Sequence, residues 1–156
     1  MQQKQVSVRR TARQRAFQTL YGLHFEAAEN QEKLFFLFSK GPSLRGEGKV
    51  AQKAGEFAWE LVLGVWEHSE ELDETISKFS QHWKIKRIAK IELTILRLAL
   101  FEMLYRPDIP LKVAINEAVE MAKSYGDENS ANFINGILDA AAKAVQNGEF
   151  EMRKGI

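Results

Sequence analysis

Apolar residues recur three and four apart along nearly the whole chain, and nowhere do they alternate as in a strand. The pattern predicts an all-α bundle of about seven helices. Ala12, Ala16, Leu20, Leu23 and Ala27 set a first helix over about 7–25, and Leu34, Phe35, Leu37 and Phe38 a short second one over about 30–38. The stretch SKGPSLRGEG at 39–48 breaks the pattern with Gly41, Pro42, Gly46 and Gly48. A third helix follows over about 50–66, with Ala54, Phe57, Ala58, Leu61 and Val65 facing inward, and a fourth over about 69–80. The fifth, about 84–105, is apolar around most of its circumference (Ile88, Ile91, Ile95, Leu98) and should run through the middle. Its Arg97 and Glu102 then need partners or an edge, because unpaired buried charge is costly.

Arg106-Pro107-Asp108-Ile109-Pro110 ends that helix, with Asp108 as N-cap and Pro110 in the first turn of the sixth. Leu111, Ile115, Ala118, Ala122 and Tyr125 share its inner face, and Gly126 suits a C-cap with positive φ. The seventh helix, about 129–146, buries Ile134, Ile137, Leu138, Ala141 and Val145. Residues 147–156 have no sustained pattern and read as a frayed tail. At 156 residues, with no long linker or internal repeat, one domain over 1–146 is expected, large enough to bury roughly 70% of its unfolded surface. The absence of cysteine excludes a disulfide framework. No apolar run is long enough to span a bilayer, so a soluble cytoplasmic protein with no membrane partner is expected.

Charge changes this picture. The formal net charge is only +1, yet the first 25 residues hold Lys4, Arg9, Arg10, Arg13 and Arg15 and no acid, leaving the remainder net acidic. Positive charge gathered at one end points to a polyanionic partner. Arg10, Arg13, Phe17 and Tyr21 fall in one stripe of the first helix, and cations followed by flat rings suit a single-stranded nucleic acid. Solvated arginines, a targeting peptide and a membrane-surface helix are the alternatives. Leu20 and Leu23 argue against a cleavable peptide, because they belong to the helix's core stripe.

Enzyme chemistry finds little support. There is no phosphate loop, no G-x-G-x-x-G and no metal-ligand spacing, and His24, His68 and His82 fall on separate elements. Neither a cofactor nor a metal is expected. The acids Glu67, Glu70, Glu71, Asp73 and Glu74 read as a solvated face. Lys84, Lys86, Arg87 and Lys90 form a second basic cluster, either a solvated face or a polyanion contact. In KSYGDENSANFINGIL, Asn129, Asn132, Phe133 and Gly136 lie on one side of the seventh helix, away from its apolar stripe. Phe133 is there either core or an exposed ring. Gly136 costs about 1 kcal/mol relative to alanine inside a helix, which close packing on a neighbouring helix would explain.

Taken in order, RRTARQRAFQTLY, Trp83…Arg87-Ile88, ILRLALFEM, PLKVAINEAVEMAKSYG and NFINGILD resemble the NusB transcription antitermination factor family. The match runs from Arg9 to about Lys143; VAINEA and FINGILD carry most of its specificity. Phe101 stands where the family usually has Tyr, Tyr125 often corresponds to Phe, and the 39–48 loop is individual. The resemblance implies a helical bundle in two packed sub-bundles and a non-enzymatic factor that binds single-stranded boxA RNA together with NusE, a small-subunit ribosomal protein. The pair would join an antitermination complex on RNA polymerase and support ribosomal RNA synthesis. By matching positions, the resemblance implies RNA contacts at Arg9, Arg10 and Arg13 and at Tyr125, Asn129 and Phe133, with Tyr21, Phe25 and Glu92 toward NusE. Two other readings stay open. One is a dimerisation or interaction module. The other is a domain like those leading ribosomal RNA cytosine methyltransferases, which requires an S-adenosylmethionine domain after about residue 150. Monomer and homodimer both remain compatible with the sequence.

Overall fold

The computed structural model describes residues 2–41, 48–81 and 84–149, with side chains from residue 8 onward. Most of the 39–48 loop, His82, Trp83, the Lys4 side chain and the tail beyond Glu149 lie outside the described residues. Seven α-helices and one 3₁₀ turn account for the regular structure there, without strands. The chain divides into two compact units at Glu67/His68.

The first unit holds α1 (Gln2–Gly22), α2 (Gln31–Ser39) and α3 (Lys49–Glu67). Its core joins Ala12, Ala16, Phe17 and Leu20 of α1 to Ala54, Phe57, Ala58, Leu61, Val62 and Val65 of α3. Small residues on both helices let the backbones approach while Leu61 and Phe17 fill the space beside them. The first helix ends at Gly22 rather than 25. Leu23, His24 and Phe25 donate to carbonyls three back, at 3.2, 3.1 and 3.0 Å, which tightens the chain into a turn. Asn30 caps α2 by accepting from the Lys33 amide at 2.8 Å. Only Leu34 and Phe38 of the LFFLF run are buried, because five consecutive apolar residues cannot share one helix face; Phe35 and Phe36 turn outward.

The second unit holds α4 (Ser69–Phe79), α5 (Lys90–Tyr105), α6 (Leu111–Tyr125) and α7 (Glu128–Gln146), with the 3₁₀ turn at Ile85–Arg87. The continuous helix expected over 84–105 is interrupted, because Ile88 and Ala89 are extended at ψ 130 and 144. From Leu93 to Leu104 every residue of α5 except Arg97 is buried, and α4, α6 and α7 all pack on it. Arg97 reaches Asp73 of α4 with two parallel bonds, Nε at 2.7 Å and Nη2 at 2.8 Å. Such a fork fixes both direction and distance between the helices. The acidic stretch of α4 is therefore only partly a solvated face. Glu71 also works inward, accepting from the Tyr105 hydroxyl at 2.6 Å.

Tyr105 is stacked on His68 at 4.4 Å and on Phe101 at 5.3 Å. Burial, together with the bond to Glu71 and its charge, raises the Tyr105 pKa well above the ordinary value. Below about pH 10, the ordinary tyrosine value, the phenol is neutral folded and unfolded, and its contribution to stability is complete. Above that pH the unfolded chain ionises first and the contribution is lost. Tyr105→Phe is expected to flatten this alkaline loss, read as the urea midpoint followed from pH 8 to 12. An unchanged slope would show that Tyr105 does not set it.

Three end-of-helix expectations change. Asp108 is not the N-cap of α6; it pairs with Arg106 at 2.9 Å, and Pro110 occupies the cap position. Gly126 has φ −117, so positive φ is not its reason. A Cβ there would lie 2.9 Å from the Ser130 hydroxyl and 3.1 Å from the Ala122 carbonyl oxygen, so glycine admits a close approach at the corner. Asp127 caps α7 by accepting from the Ser130 amide at 2.8 Å. The inner face of α6 is shifted by about one position: Ala114, Glu117, Ala118, Met121 and Ala122 are buried, whereas Leu111, Ile115 and Tyr125 are half-buried. Val145, read as core in α7, is likewise half-buried. Residues 147–149 form a cap rather than a frayed end. Gly148 takes φ 75 and its amide reaches the Val145 carbonyl, while that of Glu149 reaches Ala144 at 3.0 Å.

Candidate nucleic-acid interface

The arginine-rich helix does not present one uniform basic face. Arg10 is exposed, Arg9 is half-buried, and Arg13 is only 2% exposed. One turn apart, Arg9 and Arg13 place their guanidiniums over the same ring, Phe57 of α3, at 5.1 and 5.6 Å. Arg15 is buried as well. Its guanidinium lies over Phe38 at 4.6 Å and donates to the Phe38 carbonyl, at the C-terminal end of α2, where a cation suits the helix dipole. Burial lowers its pKa. A Cβ on Gly41 would strike this guanidinium, so glycine there keeps the clamp closed.

Of the three arginines expected to face RNA, Arg13 differs in being buried, with its stem and head used to join α1 to α3. Arg10→Ala and Arg13→Ala should separate the two roles. Arg13→Ala is expected to cost the first unit about 2 kcal/mol through lost packing and a desolvated cation–π contact, measured by urea unfolding. Arg10→Ala should leave the midpoint unchanged and lower only polyanion affinity. Equal loss of stability in both variants would contradict the assignment.

Phe17, expected on the surface stripe, is also core, at 3% exposure. It begins a ladder of rings: Phe17 stacks on Tyr21 at 5.7 Å, and Tyr21 meets Phe25 edge-on at 5.3 Å. Tyr21 is half-buried and Phe25 is 68% exposed, so the ladder runs from core to solvent. A second set of outward rings was not singled out from sequence. Phe35 leans on Trp59 at 5.1 Å, and Phe36 carries Lys33 and Lys40 at 5.7 and 4.4 Å from its centre. The signal available was the FFLF run itself, which is too apolar for one face.

In the second unit, Asn129, Asn132 and Gly136 are exposed and Phe133 is half-buried on the side of α7 opposite Ala131, Ile134, Ile137 and Leu138. Phe133 is thus neither wholly core nor free-standing. Packing on a neighbouring helix does not explain Gly136, since a Cβ there would meet nothing within 4 Å. Tyr125 is half-buried at the end of α6, next to the Gly126 corner. Glu92 stands in the first turn of α5, half-exposed. The structure therefore collects Tyr125, Asn129 and Phe133 at the α6–α7 corner of one unit and keeps the arginines and Tyr21–Phe25 in the other. No group of three metal-ligating side chains forms among the described residues.

The profile of the NusB family matches residues 10–143. The chain belongs to the NusB family. A transcription antitermination protein NusB from Oleidesulfovibrio alaskensis is 54% identical over 142 residues, covering 91% of this chain and 92% of that one. Another, from Myxococcus xanthus, is 44% identical over 140 residues, covering 90% of this chain and 98% of its own. Among solved structures, NusB of T. maritima superposes with TM-score 0.74 at 35% identity, covering 86% of this chain and 90% of that chain. A complex of the antitermination factors NusB and NusE with double-stranded RNA superposes with TM-score 0.75 at 30% identity, covering 88% and 98%. Membership of the NusB family places the chain among transcription antitermination proteins rather than among enzymes. It also gives the all-α fold its pedigree: both superposed structures are NusB bundles. No helix among the described residues is long and apolar enough to cross a membrane.

Proposed function

We propose that this NusB-family protein is a cytoplasmic RNA clamp that holds single-stranded boxA RNA together with NusE and supports ribosomal RNA transcription. The observation that carries the reading is the outer face of α7, where a half-buried ring is flanked by exposed amides and an uncovered glycine. A half-buried ring is held rigidly enough to stack on a base, at about 1–3 kcal/mol per base, while amides beside it can bond base edges. On the first unit, the exposed Arg10 and the accessible part of Arg9 suit phosphate neutralisation. Tyr21, Phe25 and Glu92 are assigned to NusE, because an exposed ring continuous with a buried ladder suits a protein anchor. The complex of a NusB relative with NusE and RNA supports both partners.

Nothing in this scheme requires a covalent step. NusE raises affinity by extending the RNA-contacting surface, and the residues over 1–146 act as the binding body. If three or four phosphates are neutralised, the log–log salt slope should be roughly −2 to −3. Gel mobility with a boxA RNA and a scrambled RNA, each with and without NusE, tests the reading. A shift that prefers boxA and strengthens with NusE is expected. Equal shifts for both RNAs, or no effect of NusE, would overturn it. The exposed Phe25, Phe35 and Phe36 favour self-association as the second reading. In that case sedimentation would show a dimer that NusE does not dissociate, and Phe25→Ser would return it to monomer.

A further inference from the structure

The cluster Lys84, Lys86, Arg87 and Lys90 takes no part in the clamp described above. All four side chains are exposed, on and just after the 3₁₀ turn. A 3₁₀ turn eclipses residues three apart. Here Ile85 and Ile88 are the eclipsed pair, half-buried and buried, and they anchor the turn inward. That geometry leaves the three cations between and beside them pointing to solvent. Four positive groups within seven positions are thus displayed by a fixed backbone.

Three of them, Lys84, Lys86 and Arg87, differ from most other cations of this unit. Elsewhere in this unit most cations lie beside acids: Arg97 with Asp73, Arg106 with Asp108, Lys123 with Glu120, and Lys143 with Asp139. Among the described residues no acid pairs with Lys84, Lys86 or Arg87. The cluster also precedes α5, so the positive end of that helix's dipole adds to its field. Ala89 at the N-cap contributes no side-chain acceptor, and Glu92 is the acid of the first turn. Local electrostatics disfavours the three cations Lys84, Lys86 and Arg87 here, and an anionic ligand reverses that sign.

Two kinds of anion remain, the backbone of a nucleic acid or an acidic protein surface. Stable protein interfaces have an apolar core ringed by polar groups. Among the described residues the exposed large apolar side chains are Phe25, Phe35, Phe36 and Val113, none of them in the cluster. A patch of cations without an apolar centre fits phosphates, which need charge and no burial. We infer that Lys84, Lys86, Arg87 and Lys90 form a second, sequence-independent contact for the sugar–phosphate backbone of single-stranded RNA. The inference rests on the RNA-binding reading above and extends it, adding a track outside the element read at α7.

The test compares the wild-type protein with a Lys84→Gln, Lys86→Gln, Arg87→Gln variant. Both bind a 12-nucleotide oligouridine, which lacks boxA, over a range of salt. All three positions are exposed, so circular dichroism and thermal midpoint should match. The variant is expected to bind at least tenfold more weakly at low salt. Its log–log slope should be shallower by about 2, at about 0.7 for each of three single-strand phosphate contacts. Repeating the substitutions in a Phe133→Ala background should give the same fold-loss, since independent sites add.

Oligouridine binding and salt slope that do not change in the variant would overturn the inference, even with boxA preference intact. If boxA preference is absent but the tenfold loss persists, the clamp reading falls and this contact stands. A polyglutamate peptide that binds as tightly as oligouridine, and loses as much in the variant, would make the patch an acidic-protein site and overturn the inference.

Discussion

Phe133→Ala is expected to weaken RNA binding by about five- to 150-fold, the equivalent of about 1–3 kcal/mol for the loss of one stacking ring. The helical circular dichroism signal should persist. The reason lies in where Phe133 sits. The core side of α7 is supplied by Ala131, Ile134, Ile137, Leu138 and Ala141, all buried, so the helix stays anchored without the ring. The ring is partly covered, which restrains its orientation, and its exposed part is where stacking on a base is proposed. Phe133→Tyr should keep most of the affinity, because the stacking face survives. A Phe133→Ala protein that binds boxA RNA normally would remove α7 from the site. One that unfolds would show that the ring belongs to the core.

Leu100→Ala should have the largest effect on stability, at about 2–5 kcal/mol, because it deletes a wholly buried side chain and leaves a cavity. Leu100 lies in the continuous buried run of α5, on which α4, α6 and α7 pack, so no single neighbour can move in without disturbing another. Urea unfolding of the second unit should report the whole loss. Leu111→Ala offers the contrast. Leu111 is half-buried at the start of α6, and its truncation should cost well under half as much. Equal losses at the two positions would mean that α5 is not the centre of this unit. Any fall in RNA affinity in Leu100→Ala should track the unfolded fraction and vanish at low temperature.

The helix count and the approximate span of each helix were legible because a 3.6-residue period is a local property. Every helix of the structure overlaps one expected from apolar spacing. The inner residues of α3 and α7 were read correctly for the same reason, Val145 excepted. What failed was mostly at ends. The extended Ile88–Ala89 pair is invisible to periodicity, since Ile88 is apolar in either conformation. Asp108 and Gly126 both suited common capping roles, but Arg106 competed for the first and Ser130 crowds the second.

The family was legible in the sequence, and the burial of individual side chains at the proposed site was less so. Family strings such as VAINEA and FINGILD pointed to the right family, which the relatives establish over most of the chain. Arg13 and Phe17 were misplaced because helix geometry puts them in the same stripe as Arg10 and Tyr21. Which part of that stripe is covered depends on α3, some forty residues away. No residue within α1 says that Phe57 will lie over Arg9 and Arg13.

The sequence by itself determined the helical class, the family and the gathering of positive charge at the first helix, since each follows from residue identity and short-range spacing. Tertiary structure decided the use of each charge. Arg15 was turned into a clamp on α2, Arg13 into a packing contact, and Arg10 stays exposed. The difference is physical. A charge counts the same wherever it stands in a sequence, but its burial and its partners are set by side chains that folding brings in from distant positions.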